Sequence, residues 1–197
     1  MGSLGSRVGT PEVPALGFIE FSSIARGLYV TDVVVKKAPV KILTSEPISS
    51  GKHVLLYVGD VASVEESHAA ALAEGSGTIL KQVLIPGVHE ELAPFLDSLW
   101  SQEVGASLGG DSVGIVESSS LAGAILAADR ALKAARVTLF RMRLGKGIGG
   151  KAYFVLSGKQ DEVEAAVEAA HECLKTMESL CRVEVVRRPE TEALAYF

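Results

Sequence analysis

Apolar residues along this chain alternate between short continuous runs of strand length and longer runs at helical spacing. Residues 16–21 form a short apolar strand, and Ser22 and Ser23 then offer hydroxyls suited to a helix N-cap. In the predicted helix, Ile24, Leu28 and the valines of 33–35 make the buried face, with Arg26, Asp32, Lys36 and Lys37 turned to water or a partner. The same order recurs later: serines at 118–120 precede Leu121, Ile125, Ala128 and Leu132, an i, i+4, i+7, i+11 stripe. Each helix leads to two strands joined by a small-residue loop, and the runs 54–58 and 152–156 have the continuous apolar character of central strands. Second helices are predicted over 61–74 and 162–177, with alanines inward and glutamates outward. Last strands are predicted over 78–85 and 182–186, with tails near Pro86 and Pro189.

Each half therefore reads β-α-β-β-α-β. That is the split βαβ, ferredoxin-like arrangement of the α+β class: a four-stranded antiparallel sheet with both helices on one face. The halves are copies. Gly17 and Gly114, like Lys36 and Lys133, are 97 positions apart, whereas Lys52 and Lys151 are 99 apart, so the second loop is two residues longer. The expected organisation is a disordered arm over 1–14, a first domain over 15–96, a linker over 97–111 and a second domain over 112–197. Trp100 is expected to pin the linker to one domain.

Composition narrows the function. Hydrophobic residues reach 48% but aromatics only 6%, so burial must come from small aliphatic side chains in close helix-on-sheet layers. A net charge of −5 lacks the basic excess that binding a phosphate backbone requires, which argues against nucleic acid. No signal-like apolar segment opens the chain and no run is long enough to span a bilayer, so a cytoplasmic location without membrane contact is expected. Cys173 and Cys181 are too few for a disulfide framework and lack CxxC spacing.

Candidate chemistry centres on the loops. Gly145 to Lys151 fits GxxxxGK, but Ala152 stands where a Ser or Thr would hold Mg²⁺, and the lysine leads into a strand where phosphate cradling needs a helix. His53, His68, His89 and His171 are scattered without ligand spacing, and His68 and His171 read as parts of solvated helix faces. No nucleophile elbow is present, so neither a metal site nor catalysis is expected. The repeated loops, with Ser49, Ser50 and Gly51 in one and Ile148, Gly149 and Gly150 in the other, suit either a tight turn or a place where backbones of several copies crowd together.

Several motifs then carry a resemblance: Leu16-Gly17-Phe18-Ile19-Glu20, Asp32-x₃-Lys36-x-Ala38, Ile48-Ser49-Ser50-Gly51, Gly59-Asp60-Val61 and Ile85-Pro86-x₂-His89, with Val113-Gly114-Ile115-Val116-Glu117, Asp129-x₃-Lys133-x-Ala135, Gly147-Ile148-Gly149-Gly150-Lys151 and Arg188-Pro189 in the second half. Together they resemble the BMC-domain shell proteins of bacterial microcompartments, and two such domains in one chain resemble the tandem members, including those of propanediol-utilising compartments. The resemblance implies a non-catalytic structural protein of the shell. Three chains would form a flat pseudohexamer that tiles with other shell proteins, hexamers and pentamers, and passes small metabolites through a central pore. By position, Ser49, Ser50, Gly51, Ile148, Gly149 and Gly150 would line the pore, with Arg141, Arg143 and Lys146 raising the local potential. Lys36, Lys133 and Arg188 would lie at the tile edge, although Gly87, Pro39 and Arg136 depart from the family's usual edge residues. Some tandem members hold an iron–sulfur cluster at the pore through one cysteine per chain. The corresponding position here is Ser49, so no cofactor is expected. A different class, a tandem regulatory domain binding a small ligand between split βαβ units, is the alternative.

Overall fold

The computed structural model describes residues 15–97 and 110–197. The expected arm, Trp100 and linker residues 98–109 lie outside them. The first unit runs β1 (Ala15–Phe21), α1 (Ile24–Lys37), β2 (Lys41–Pro47), β3 (His53–Gly59), α2 (Val61–Glu74), β4 (Ile79–Ile85) and a short α3 (Ala93–Asp97). The second repeats it as β5 (Ser112–Ser118), α4 (Leu121–Ala134), β6 (Thr138–Leu144), β7 (Ala152–Gly158), α5 (Gln160–Thr176), β8 (Leu180–Arg187) and a short α6 (Thr191–Leu194). The sheets are ordered β2-β3-β1-β4 and β6-β7-β5-β8, antiparallel throughout, so β1 and β3, like β5 and β7, are central.

Side-chain caps fix where the helices begin. The Ser23 hydroxyl accepts the Arg26 N–H at 3.3 Å, the Ser120 hydroxyl accepts that of Gly123 at 3.1 Å, and the Asp60 carboxylate accepts that of Ser63 at 2.9 Å. The Asp60 carboxyl is held below the usual carboxylate range by its bonds from the Ser63 hydroxyl and amide.

Alternation along β1 divides the interior in two. Ala15, Ile19 and Phe21 join Leu55 and Tyr57 under Val30 and Val34 of α1 and Val64 and Ala71 of α2. Leu16 and Phe18 point the other way, into a larger core that includes Val83, Ile85, Leu121, Ile125 and Phe154. The second face of the first sheet is thus covered by α4 of the second unit, which touches β1 and β4.

The expected buried face of α1 holds at Val34 and is otherwise corrected here. Ile24 is 39% exposed, Leu28 55% and Val35 46%, and the residues that α1 buries are Gly27, Val30 and Val34. Each of these helices carries two apolar stripes. One, of small residues, meets its own sheet: Gly27, Val30 and Val34 in α1, and Ala124, Ala127 and Ala131 in α4. The other holds Ile24, Leu28 and Val35 in α1, and Leu121, Ile125 and Leu132 in α4. In α4 that second stripe is buried against the neighbouring unit, and in α1 nothing among the described residues covers it. His68 is a second correction, since it is buried on α2 and not on a solvated face.

Candidate functional site

The two small-residue loops close in the same way. Ile48 N–H donates to the Lys52 carbonyl at 2.9 Å, and Gly145 N–H donates to the Lys151 carbonyl at 2.8 Å. Left-handed backbone makes both turns: Ser50 and Gly51 have φ of 70° and 74°, and Gly145, Gly147, Gly149 and Gly150 lie between 67° and 76°. The loops then meet. Gly147 N–H donates to the Ser49 hydroxyl at 3.1 Å, and a Cβ on Gly150 would stand 2.7 Å from the Ser50 hydroxyl oxygen.

All six residues expected at a pore therefore fall in one patch. Ser50, Gly51 and Gly149 are exposed, Ser49 and Ile148 are half-buried, and Gly150 is buried beside Ser50. The patch is walled mainly by backbone amides, two hydroxyls and one isoleucine. Arg143 lies beside it, its guanidinium 3.5 Å from where a Gly147 Cβ would be, whereas Arg141 donates toward the Tyr196 carbonyl.

The three edge candidates lie elsewhere. Lys36 lies in the last turn of α1, exposed and paired with Asp32. Lys133, in the last turn of α4, is more tightly held, donating to Asp129 at 2.6 Å and to the Gly87 carbonyl at 2.7 Å. Buried Asp129 also accepts the His89 N–H at 2.9 Å. Arg188 is exposed with φ of 47°, a left-handed position that Gly87 fills in the first unit with φ of 91°.

Three polar networks escaped the sequence. Buried Glu20 accepts from the Ser120 hydroxyl at 2.6 Å and the Ala122 N–H at 2.9 Å, with the Lys52 ammonium 3.2 Å away. Buried Tyr57 donates to His68 Nδ1 at 2.6 Å, while His68 Nε2–H donates to Gln82 at 2.7 Å. Ser45 lies 2.7 Å from the Thr31 hydroxyl and 3.1 Å from His53 Nε2. The one available signal was a Glu inside an apolar strand in both copies, each followed at the loop by a Gly-Lys pair: Glu20 with Lys52, and Glu117 with Lys151. Lys151 lies 2.6 Å from Glu117, which holds its ammonium above the usual lysine value.

Among the described residues, Glu168, His171 and Glu172 on α5 bring possible ligand atoms within 4.8 Å of one another. Lys175 already pairs with Glu172 at 3.1 Å and lowers its carboxyl, the behaviour of an ordinary charged helix face. Cys173 is half-buried with its thiol pushed up by burial, and Cys181 is exposed on β8. Neither cysteine lies in the loops. No helix among the described residues is long and apolar enough to cross a membrane.

Two split βαβ units of this kind, each with its small-residue hairpin loop, define a tandem shell-type architecture. The BMC-domain model matches residues 15–88 and 112–189, and the chain belongs to that family. It is 36% identical over 175 residues to the bacterial microcompartment shell protein PduT of Citrobacter freundii, covering 89% of this chain and 92% of that protein. It is similar in structure to a microcompartment protein of Desulfitobacterium hafniense, with TM-score 0.77 and 31% identity, covering 91% of this chain and 97% of the other. A fused permuted hexameric shell protein from the RMM microcompartment follows at TM-score 0.63 and 25% identity, covering 84% of this chain and 83% of the other. The protein is a structural component of a bacterial microcompartment shell and not an enzyme. Shell proteins of this kind assemble as oligomers with other shell components.

Proposed function

We propose that three copies of this chain close into a pseudohexameric tile with a central pore through which small metabolites pass. Residues 15–96 and 112–197 act as its two domains, joined by 97–111. The observation that carries this reading is the contrast between the outer stripes of α1 and α4. Leu121 and Ile125 are fully buried on the first sheet, while Ile24 and Leu28, at the matching positions, are open. A contact made once within the chain and left unmade at its other end is heterologous, and such contacts close into rings when the rotation permits.

The meeting of the two loops supports the pore. Ser49, Ser50 and Gly51 of one domain and Ile148, Gly149 and Gly150 of the other form its rim, which selects by width and by the placement of hydroxyls and amides. Lys36, Lys133 and Arg188 face neighbouring tiles. A cluster at this rim has no thiolate at position 49, where the hydroxyl already accepts from Gly147, so Ser49 does not fit iron–sulfur ligation. The tile is tested by solution mass. Light scattering should give three chains of 20.7 kDa each, and electron microscopy of the same sample at lower salt should show sheets. A discrete monomer or dimer that never assembles would refute it.

A further inference from the structure

The open face of the second sheet repeats, without its occupant, the site that α4 fills on the first. Ile115, Glu117, Lys151 and Tyr153 stand where the first unit has Phe18, Glu20, Lys52 and Val54. Phe18, Glu20 and Val54 are fully buried, whereas Ile115, Glu117 and Tyr153 remain partly open and Lys151 is exposed. Together with Ile148 and Ala152 these four residues line a cleft of about 300 Å³.

On the first sheet the matching volume receives the N-terminus of α4. Leu121 is fully buried there, and Glu20 takes the Ser120 hydroxyl proton and the Ala122 N–H. The Ser120 hydroxyl oxygen meanwhile accepts from Gly123, so one serine caps its own helix and binds the other domain at once. The start of α1 carries the same set at the 97-residue offset: Ser23, Ile24 and Ala25 in place of Ser120, Leu121 and Ala122. Ser23 already accepts from Arg26, leaving its proton to give. The first amides of a helix have no intrahelical partner, and the positive end of its dipole favours a carboxylate.

We propose that this cleft receives the N-terminus of α1 from a second copy of the chain, with Ile24 filling it and Glu117 accepting from the Ser23 hydroxyl and the Ala25 N–H. The proposal rests on the ring reading above and names the residues that recognise the next copy. The intermolecular contact is the more polar of the two, because Val83 and Ile85 under α4 are matched on β8 by Glu184 and Val186, and Ala128 of α4 by Thr31 of α1. Lys151 stays against Glu117, as Lys52 does against Glu20, so the carboxylate is neutralised when water leaves.

The test is a double-mutant cycle on trimer dissociation, read by sedimentation at fixed urea. Glu117→Ala and Ser23→Ala should each weaken the trimer by about 10–100-fold, and the double variant should be no weaker than about the worse single one. Circular dichroism shows whether each variant folds. A second readout needs no loss of contact strength. In a Cys173→Ser/Cys181→Ser background, Ser23→Cys with Glu117→Cys should be joined between chains by a short bis-maleimide, giving two- and three-chain bands on a denaturing gel. A wild-type trimer with neither the coupling nor the cross-link would overturn the cleft assignment and leave the ring standing. A wild-type chain that never forms a trimer would overturn both.

Discussion

The carboxylate of Glu20 accepts the hydroxyl proton of Ser120 at 2.6 Å, one hundred residues away along the chain and on the other unit. It also takes the Ala122 N–H and sits 3.2 Å from Lys52. A fully buried carboxylate is tolerable only when paired and hydrogen-bonded, and here all its partners are in place. The same atoms fix the angle at which α4 meets the first sheet, and through it the approach of the two loops.

Removing this carboxylate should therefore separate the units more than it disturbs either one. Glu20→Ala is expected to cost about 3–4 kcal/mol, since it strands the α4 amide and the Lys52 charge. Glu20→Gln, which keeps one acceptor oxygen, should cost about 1–2 kcal/mol. Urea unfolding of the purified chain reads both, and equal losses would show that the charge contributes nothing.

Stability should fall on mild acidification. Burial lowers the His68 imidazole below its usual value, with the Gln82 bond acting weakly in the opposite sense, and burial lowers His53 against the pull of Glu46. Between the ordinary imidazole value and these depressed native ones, the unfolded chain binds more protons than the native one. Their contribution is complete above that value and is lost as pH falls through the depressed native one. The second unit has Leu156, Val167 and Val183 where the first has Tyr57, His68 and Gln82. His68→Val alone should cost about 1–3 kcal/mol by orphaning the Tyr57 hydroxyl, whereas Tyr57→Leu/His68→Val/Gln82→Val should recover most of that and flatten the profile. A thermal midpoint series from pH 7.5 to 5 measures it.

Much of this architecture was legible in the sequence because the repeat reports itself. Every strand and long helix could be assigned twice, and a disagreement between the copies would have exposed an error. The helix stripe was misread for the same reason that it is informative. Periodicity says that Ile24 and Leu28 face something apolar, but not whether that surface lies in the same domain, in the other one or in another molecule. The short α3, with Phe95 and Leu96 packed into the larger core, gave no signal at all, because a five-residue helix with Pro94 inside it has no periodicity to read. The buried polar networks were invisible because Tyr57, His68 and Gln82 converge only after β3, α2 and β4 are folded together.

Leu28 tests the outer stripe directly. Its matching residue Ile125 is fully buried, while Leu28 is the most open residue of the stripe. Leu28→Glu should leave the isolated chain's stability nearly unchanged and weaken assembly by 100-fold or more, about 3 kcal/mol, since a charge would have to be buried on the neighbour's sheet. Ile125→Glu should instead unfold the chain. Light scattering beside a thermal melt separates the two outcomes, and a Leu28→Glu chain that assembles normally would remove α1 from the interface.

The contact between the loops sets how much their rim can change. Gly150 has φ of 76° and lies against Ser50, which itself holds φ of 70°. Gly150→Ala should cost about 1–2 kcal/mol from the left-handed backbone and the clash together. Ser50→Gly should gain up to about 1 kcal/mol and relieve part of the Gly150→Ala defect. Additive effects in the double variant, measured in urea, would mean that the loops do not press on one another.

Ser49 is the position at which the proposed pore and the packing of the loops meet. Its hydroxyl accepts from Gly147 of the other loop and is only half-buried, so a larger residue there must either displace that loop or project into the opening. Ser49→Ala removes the acceptor without adding bulk; it should leave the rim open and cost about 1 kcal/mol for the unpaired amide. Ser49→Gln keeps an acceptor and adds length, so it should slow metabolite passage while sparing stability. Shells reconstituted with each variant, loaded with an enzyme whose substrate must enter from outside, give the comparison: slower turnover with Ser49→Gln, near wild-type turnover with Ser49→Ala, and unchanged activity once the shells are broken. Equal turnover in intact shells would place the passage somewhere other than between these loops.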